Sequence, residues 1–181
     1  MKPIVLVPNN VLVSPAKTVT AFDEKLKRLI CDMEESLLSA IDPKGVGLAA
    51  TQIGVGLRIF LTKPNEKAKI RAFINPEIIT CSKDITDGVP ERGNKLEGCL
   101  SIPNIWGKVH RVSSLTLKYQ DETGKVHEEE FKGFHATIIQ HETDHINGIL
   151  FTQRVVEQKE KLFQVATDDN GEEVLEELKI S

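Results

Sequence analysis

The chain has 181 residues, 40% hydrophobic and 28% charged, which is typical of one globular domain spanning residues 1–181. Its net charge of −4 excludes the basic surface of a nucleic-acid binder, so we expect no direct nucleic-acid binding. No apolar run approaches the roughly 18 residues that cross a bilayer, and the N-terminus lacks a signal-peptide pattern. We expect a cytoplasmic monomer that makes no membrane contact.

The first predicted element is an amphipathic helix over Phe22 to Ala40, whose apolar residues recur at steps of three and four. Thr20 followed by Asp23 is typical of a capping box at its start. Proline and glycine in the segment 42–45 oppose continuation and end the helix. Cys31 lies on or beside the apolar stripe, where a cysteine usually acts as a small buried hydrophobic residue.

A glycine-containing segment, Gly45-Val-Gly-Leu-Ala-Ala-Thr-Gln-Ile-Gly54, follows this helix. It matches the dinucleotide-binding fingerprint, but that fingerprint must follow a strand and open a helix. Here it follows a helix and runs into a predicted strand, so nucleotide binding is disfavoured. We predict a segment that exposes its backbone, with the Gln52 amide placed for hydrogen bonding; a tight turn between helix and strand is the alternative.

The middle of the chain is typical of strands, with short apolar or alternating runs. The predicted strands are Leu57–Thr62, Ala72–Ile79, Leu115–Tyr119 and Val126–Phe131. Pro76 indicates an edge strand or a bulge, because proline cannot donate to a sheet ladder. Residues 81–95 are polar and contain glycine, which predicts a loop. The turn ending in Gly124 predicts a hairpin between the last two strands.

Helical periodicity returns from Phe134 to about Asn147, and Gly148 stands where a helix would end. The tail beyond residue 155 is less clear. Its pattern favours a hairpin of Leu162–Thr167 and Glu173–Ile180 turning at Asn170-Gly171, with a short helix as the alternative. The elements together predict an α+β fold, with antiparallel sheets packed around a central metal-binding helix and an N-terminal helix.

The strongest chemical signal is His141-Glu-Thr-Asp-His145. Residues four apart lie on one face of a helix, so both imidazoles can reach one metal ion. Glu142 is next to the first histidine and can take a proton from an activated water. The simpler alternative is a pair of histidines that satisfy polar groups of the core.

A hydrolytic metal site needs a third protein ligand and an open position. Cys99, in an apolar segment beside a glycine, is the better candidate, although an isolated buried cysteine is more often a small hydrophobic residue. Glu157 and Glu160 lie downstream among charged residues and indicate a solvated helical face. A downstream ligand would instead favour a general metalloprotease, and a fourth protein ligand would favour a structural metal module.

Three segments together resemble the peptide deformylase family. They are Gly45-Val-Gly-Leu-Ala-Ala-Thr-Gln52, Glu97-Gly-Cys-Leu-Ser101 and His141-Glu-Thr-Asp-His145, complete and in the family's order. The similarity runs from about residue 5 to residue 155, which leaves residues 155–181 as a divergent tail. Three independent motifs in register favour Cys99 as a ligand.

The resemblance implies a hydrolase that removes the N-formyl group from the initiator methionine of new polypeptides and releases formate. Cys99, His141 and His145 would bind one metal ion, and Glu142 would move the proton. Gln52 and the backbone N–H of Leu100 would stabilise charge on the formyl oxygen. The expected metal is Fe²⁺, while Zn²⁺, Ni²⁺ or Co²⁺ can occupy such a site. A relative that binds formylated chains without catalysis is a further alternative, which intact Glu142 and Gln52 disfavour.

The resemblance also implies how N-formylmethionyl peptides bind. The peptide would lie extended against the backbone around Val46, Gly47 and Gly98. Its methionine side chain would enter an apolar pocket with walls at Val46, Phe134, Ile138 and the His141 ring. Arg111 would pair with Glu97 and so brace the cysteine segment.

The tail departs from the family, some of whose members end in a basic helix that docks on the ribosome. Residues 168–181 contain six acidic side chains and one lysine, so any ribosome association would be transient and not through RNA binding. The apolar residues of the tail are too many for a solvated segment, and we expect them to pack on the domain. These residues are Leu162, Phe163, Val165, Val174, Leu175 and Leu178.

Overall fold

The computed structural model describes residues 1–41, 44–168 and 170–179. In these ranges the helices are α1 (Glu24–Ser39), α2 (Gly133–Ile146) and α3 (Phe151–Glu157). The strands are β1 (Gly47–Ala49), β2 (Ile59–Thr62), β3 (Arg71–Cys81), β4 (Glu97–Cys99), β5 (Ile102–Gly107), β6 (Ser114–Gln120), β7 (Val126–Lys132), β8 (Leu162–Thr167) and β9 (Glu173–Glu177). Every described helix is too short or too polar to cross a bilayer.

The strands form two antiparallel sheets. Five strands pair in the order β1-β2-β3-β6-β7, and four pair in the order β4-β5-β8-β9. The predicted combination of helices with antiparallel sheets is therefore confirmed. β1 and β4 are edge strands, so each has one side whose backbone groups pair with no other described strand.

Helix α1 begins two residues later than predicted. Its N-cap is Asp23, whose carboxylate accepts hydrogen bonds from the backbone N–H groups of Lys25 and Leu26. Thr20 lies outside the helix, so the predicted capping box is wrong. Asp42 and Pro43 of the predicted helix end lie outside the described residues, and the helix ends at Ser39.

The buried face of α1 carries Leu26, Ile30, Met33 and Leu37. Cys31 follows Ile30 but is exposed, so its predicted burial is wrong. One residue is a rotation of about 100° on a helix, which carries the thiol off the apolar stripe.

Pro76 lies within β3, at the centre of its sheet rather than at an edge. The register between β3 and β6 shifts between Ile74 and Glu77, where Pro76 interrupts the ladder. Of the two predicted alternatives, the bulge is therefore correct. The loop predicted over residues 81–95 begins one residue later than predicted, because Cys81 still belongs to β3 and pairs with Leu115.

The predicted backbone-exposing segment Gly45–Gly54 contains an edge strand, one side of which pairs with no other described strand. Gly47 to Ala49 form β1, which pairs with β2 and is buried, and Ala50–Ile53 form a short 3-10 helix. The predicted strand that follows begins at Ile59 rather than Leu57. The glycine segment lacks the strand-then-α-helix context of a dinucleotide site, as its position in the sequence indicates.

Helix α2 packs across the five-stranded sheet. Ala136, Ile139 and Ile146 join one apolar cluster with side chains of β2, β3, β6 and β7, among them Phe60 and Phe73. The other side of α2 faces β4, so the helix lies between the edge strand of the second sheet and the face of the first.

The tail forms the predicted hairpin, with β8 and β9 antiparallel and Gly171 at φ +83° in the turn. Leu162 is buried, and Leu178 packs on an apolar cluster with Phe151 and Val155. Val174 and Leu175, however, are 36% and 40% exposed, so their predicted packing is wrong. β9 is an edge strand, and no described element covers these side chains. Asp169 and Ile180 lie outside the described residues.

Candidate active site

Three soft donor groups converge where α2 passes β4. His141 and His145 are one turn apart on α2, and Cys99 ends β4. One donor atom from each residue lies within 4.8 Å of the other two, and the Cys99 Sγ is 3.1 Å from His145 Nε2. Cys99 and His145 are buried, and the described part of the chain adds no fourth residue to this group. A thiolate with two imidazoles fits a divalent transition metal with one open position.

Glu142 lies beside this group and is only 3% exposed. Within the described residues, neither Glu142 Oε2 nor His145 Nδ1 has a hydrogen-bond partner. Burial raises the pKa of Glu142 to about 7. Buried polar atoms normally have partners, so the orphaned Glu142 oxygen supports the presence of a group that the protein itself does not supply.

Gly47 makes room for the Glu142 carboxylate. A Cβ atom at residue 47 would lie 2.3 Å from Glu142 Oε1 and 2.8 Å from Ile138 Cγ2. Glycine is therefore required here for close approach rather than for an unusual backbone angle. β1 and the acidic side chain of α2 are in direct contact at this point.

The His141 ring is held by a buried ion pair. Its Nδ1 lies 2.9 Å from Glu97 Oε2, and Arg111 Nη2 donates to the same oxygen at 3.0 Å. Burial alone would raise the pKa of Glu97, but the Arg111 charge and the His141 contact hold it at about 2. The predicted Arg111–Glu97 pair is confirmed.

Asp144 is a buried member of this network that the sequence analysis missed. It accepts from Arg111 Nη1 at 3.0 Å and from Arg154 Nη2 at 2.7 Å. Asp144 could have been found from its position three residues after His141, which places it on nearly the same face of the helix. Asp144 occupies one of the unspecified positions of the His-Glu-x-x-His motif, so the motif alone predicts no role for it.

The Gln52 side chain reaches the cysteine segment from the 3-10 helix. Its Nε2 donates to Cys99 Sγ at 3.5 Å and to Ser101 Oγ at 3.3 Å, while its Oε1 accepts from the Ala49 N–H at 2.8 Å. The amide is buried, and its orientation is determined by the Ala49 contact. Gln52 thus lies directly beside the donor group.

A narrow cavity of about 60 Å³ opens onto these residues, and we call it the cleft. The predicted site residues that line it are Val46, Gly47, Gln52, Gly98, Cys99, Leu100, Phe134, Ile138, His141 and Glu142. His145 does not line the cleft and lies behind Cys99. The free edges of β1 and β4 both border the cleft, so the two sheets approach each other there.

Arg92 and Trp106 also line the cleft, and the sequence analysis missed both. A Cβ at Gly98 would lie 2.8 Å from the Trp106 ring, so this ring covers the glycine before Cys99. Trp106 lies on β5 opposite Gly98. This pairing can be known only from the register of the two strands in the folded protein. No local pattern marks either residue.

The downstream carboxylates take no part in the site. Glu157 pairs with Arg154 at 3.0 Å, and Glu160 lies 2.9 Å from His110 Nε2. Glu160 also follows α3 rather than lying on its predicted helical face. The alternative of a general metalloprotease therefore lacks its third ligand.

The sequence comparisons agree with this geometry. The family model described as "Polypeptide deformylase" matches residues 1–161. The peptide deformylase of Mesorhizobium japonicum is 39% identical over 162 residues, covering 88% of this chain and 86% of that protein.

Solved structures give the same result. The crystal structure of peptide deformylase from Thermotoga maritima has a TM-score of 0.75 and 38% identity, covering 85% of this chain and 97% of that one. The class I type b enzyme from Acinetobacter baumannii, solved with Met-Ala-Ser bound, has a TM-score of 0.74 and 32% identity, covering 85% and 98%. The chain therefore belongs to the polypeptide deformylase family and is a peptide deformylase enzyme.

Proposed function

We propose that this chain hydrolyses the N-formyl group of N-formylmethionyl peptides with one divalent metal ion held by Cys99, His141 and His145. The observation that carries the proposal is the buried Cys-His-His group with Glu142 beside it, at the base of a cleft between two free strand edges. The similarity to bacterial peptide deformylases supports the same reaction.

The donor set fits Fe²⁺, which we propose as the working metal, and it also fits Zn²⁺, Ni²⁺ or Co²⁺. When bound, the ion would supply Lewis acidity to the attacking water and to the formyl oxygen. Residues of the chain would carry out the proton transfer, stabilise the developing charge and bind the substrate.

Glu142 moves the proton. Its carboxylate takes a proton from water as the water oxygen attacks the formyl carbon. The carbon–nitrogen bond then breaks, formate leaves, and Glu142 returns the proton to the leaving amine. Gly47 leaves the space that this side chain needs, and the unpaired Oε2 is free to accept.

Gln52 and Leu100 would stabilise the charge that develops on the formyl oxygen. The contact of the Gln52 amide with Ser101 Oγ, at 3.3 Å, is long for an N–H···O hydrogen bond, so this N–H can be redirected to the substrate at little cost. The Leu100 backbone N–H would be the second donor. Losing one such donor costs on the order of 3 kcal/mol of transition-state stabilisation.

The substrate would add as an extended strand between β1 and β4. Val46, Gly47 and Gly98 would supply backbone contacts, because their strands have free edges at the cleft. The methionine side chain would enter between Phe134 and Ile138. The cleft has a volume of about 60 Å³, and its walls at Phe134 and Ile138 are apolar, which suits an unbranched apolar side chain.

The Glu97–Arg111 pair would position His141 rather than touch substrate. Glu97 contacts His141 Nδ1 and so leaves the Nε2 atom for the metal. Asp144 holds the other side of Arg111.

The test is a deformylation assay on formyl-Met-Ala, with metal analysis of protein purified without oxygen. We expect formate release and about one metal per chain. Glu142→Ala should retain the metal and lose deformylation by about 10²–10⁴-fold, because a proton carrier is lost while all three ligands remain. Wild-type protein that binds metal but releases no formate would refute the proposal.

We also propose that the enzyme acts in the cytoplasm as a monomer and meets the ribosome only transiently. The hairpin exposes Glu172, Glu173, Glu176 and Glu177, which would repel ribosomal RNA. Cosedimentation with ribosomes should be equally weak for the full chain and for a chain lacking residues 166–181. Tight binding that requires the tail would contradict this.

A further inference from the structure

A second cavity of about 540 Å³ continues from the cleft toward the surface, and we call it the exit cavity. It shares Lys44, Val46, Arg92, Trp106 and Phe134 with the cleft. Gly47 lies against Glu142, whereas Lys44, three residues earlier, lines the exit cavity. A peptide that extends away from Glu142 along this segment therefore enters the exit cavity.

Arg92 is half-buried in the wall between the cleft and the exit cavity. Its guanidinium lies 5.1 Å from the centre of the Trp106 ring, and its Nη1 donates to the Leu96 carbonyl at 3.3 Å. Among residues 1–41, 44–168 and 170–179, no carboxylate lies within 4 Å of it. Burial lowers the pKa of Arg92, and the more distant charge of Glu97 offsets this only in part.

The other charged residues that line the exit cavity are more exposed to water than Arg92. Lys44 is exposed and pairs with Glu66. Glu91 also lines the cavity, but it is exposed and makes no ion pair with Arg92. Arg92 is therefore the partly desolvated cation that faces a peptide here.

Strand alternation decides which substrate residue meets it. Side chains two residues apart on an extended chain point the same way, about 6.7 Å apart. If the methionine side chain lies between Phe134 and Ile138, the third residue of the peptide points to the same side. That side is the exit cavity, which shares Val46 and Phe134 with the methionine pocket.

We propose that Arg92 is a specificity-determining residue that binds an aspartate or glutamate side chain at the third position of the formylated peptide. The proposal rests on the proposed function, since it assumes a peptide bound between β1 and β4. A planar guanidinium already held by Trp106 can form two parallel bonds to a carboxylate with little loss of side-chain freedom.

The test compares formyl-Met-Ala-Glu, formyl-Met-Ala-Gln and formyl-Met-Ala-Lys at low salt. We expect kcat/KM for the Glu peptide to exceed that for the Gln peptide by about fivefold, the upper range for an ion pair open to water. Arg92→Gln should reduce this ratio to about one. Lys95→Gln is the matched control, because Lys95 is in the same loop but pairs with Asp87 and lines neither cavity. It should keep the ratio.

A second measurement does not depend on turnover. Calorimetric Kd values for Met-Ala-Glu and Met-Ala-Gln should differ by a similar factor, which Arg92→Gln removes. Equal values for both peptides in the wild type, or a preference for lysine, would overturn the proposal. If the wild-type enzyme released no formate but still bound Met-Ala-Glu more tightly than Met-Ala-Gln, the proposed function would be overturned. The proposed role of Arg92 in binding would not be affected.

Discussion

Replacing Gly47 by alanine tests whether β1 positions the proton carrier. The added Cβ would lie 2.3 Å from Glu142 Oε1 and 2.8 Å from Ile138 Cγ2. Ordinary contact begins near 3.4 Å, so the carboxylate oxygen must move by about 1 Å. Gly47 is in a strand without a positive φ angle, so alanine brings no backbone strain of its own.

A misplacement of about 1 Å at a reacting group lowers the rate roughly 100-fold. Overpacking against Ile138 should destabilise the protein by about 1–3 kcal/mol, which corresponds to a Tm decrease of roughly 2–12 °C for a chain of this size. Metal content should not change, because all three ligands remain. The expected variant is folded and metal-loaded, with a large loss of kcat/KM.

The assay is formate release from formyl-Met-Ala, with a thermal melt and metal analysis on the same sample. Gly56→Ala is the matched control, since a Cβ there meets nothing within 4 Å. It should retain wild-type activity and equal or slightly higher stability. If Gly47→Ala kept near wild-type kcat/KM, the positions of β1 and Glu142 in the proposed mechanism would be wrong.

Three further variants test the framework. Arg111→Met should lower the free energy of unfolding by about 3–5 kcal/mol in urea titrations, because Glu97 loses its buried partner, and a loss below 1 kcal/mol would contradict this. Deleting residues 166–181 should lower the Tm by roughly 2–4 °C, from about 1 kcal/mol of partial Leu178 burial, while metal content stays constant. The hydrogen bond that His110 donates to the Glu160 carboxylate raises the pKa of His110 above 6.5, so this pair stabilises the fold below pH 6.5 and loses that effect as pH rises through the folded pKa. His110→Gln should therefore destabilise more at pH 6 than at pH 9, by no more than about 1 kcal/mol, and the reverse order would refute the assignment.

Local patterns in the sequence determined much of this protein. The periodicity of residues 134–147 predicts α2 to within one residue at each end, because one buried face recurs every 3.6 residues. The β6–β7 and β8–β9 hairpins follow from alternation around turns. The Cys99 prediction needed three motifs together, since a lone cysteine in an apolar stretch is ambiguous.

Other features depend on what packs over each side chain, and only the tertiary structure decides them. Cys31, Val174 and Leu175 are exposed because no described element covers them. Arg92 and Trp106 meet at the cleft because β5 pairs with β4, a contact that no local periodicity encodes.

The same distinction applies within the active site. The spacing of His141 and His145 determined that both rings can reach one point, since four residues make about one helical turn. The tertiary structure brought Cys99, Gln52 and Gly47 to that point from two distant segments. Sequence specifies a donor pair on one helix, whereas the third donor and the space for the proton carrier arise only when the edges of two sheets close on that helix.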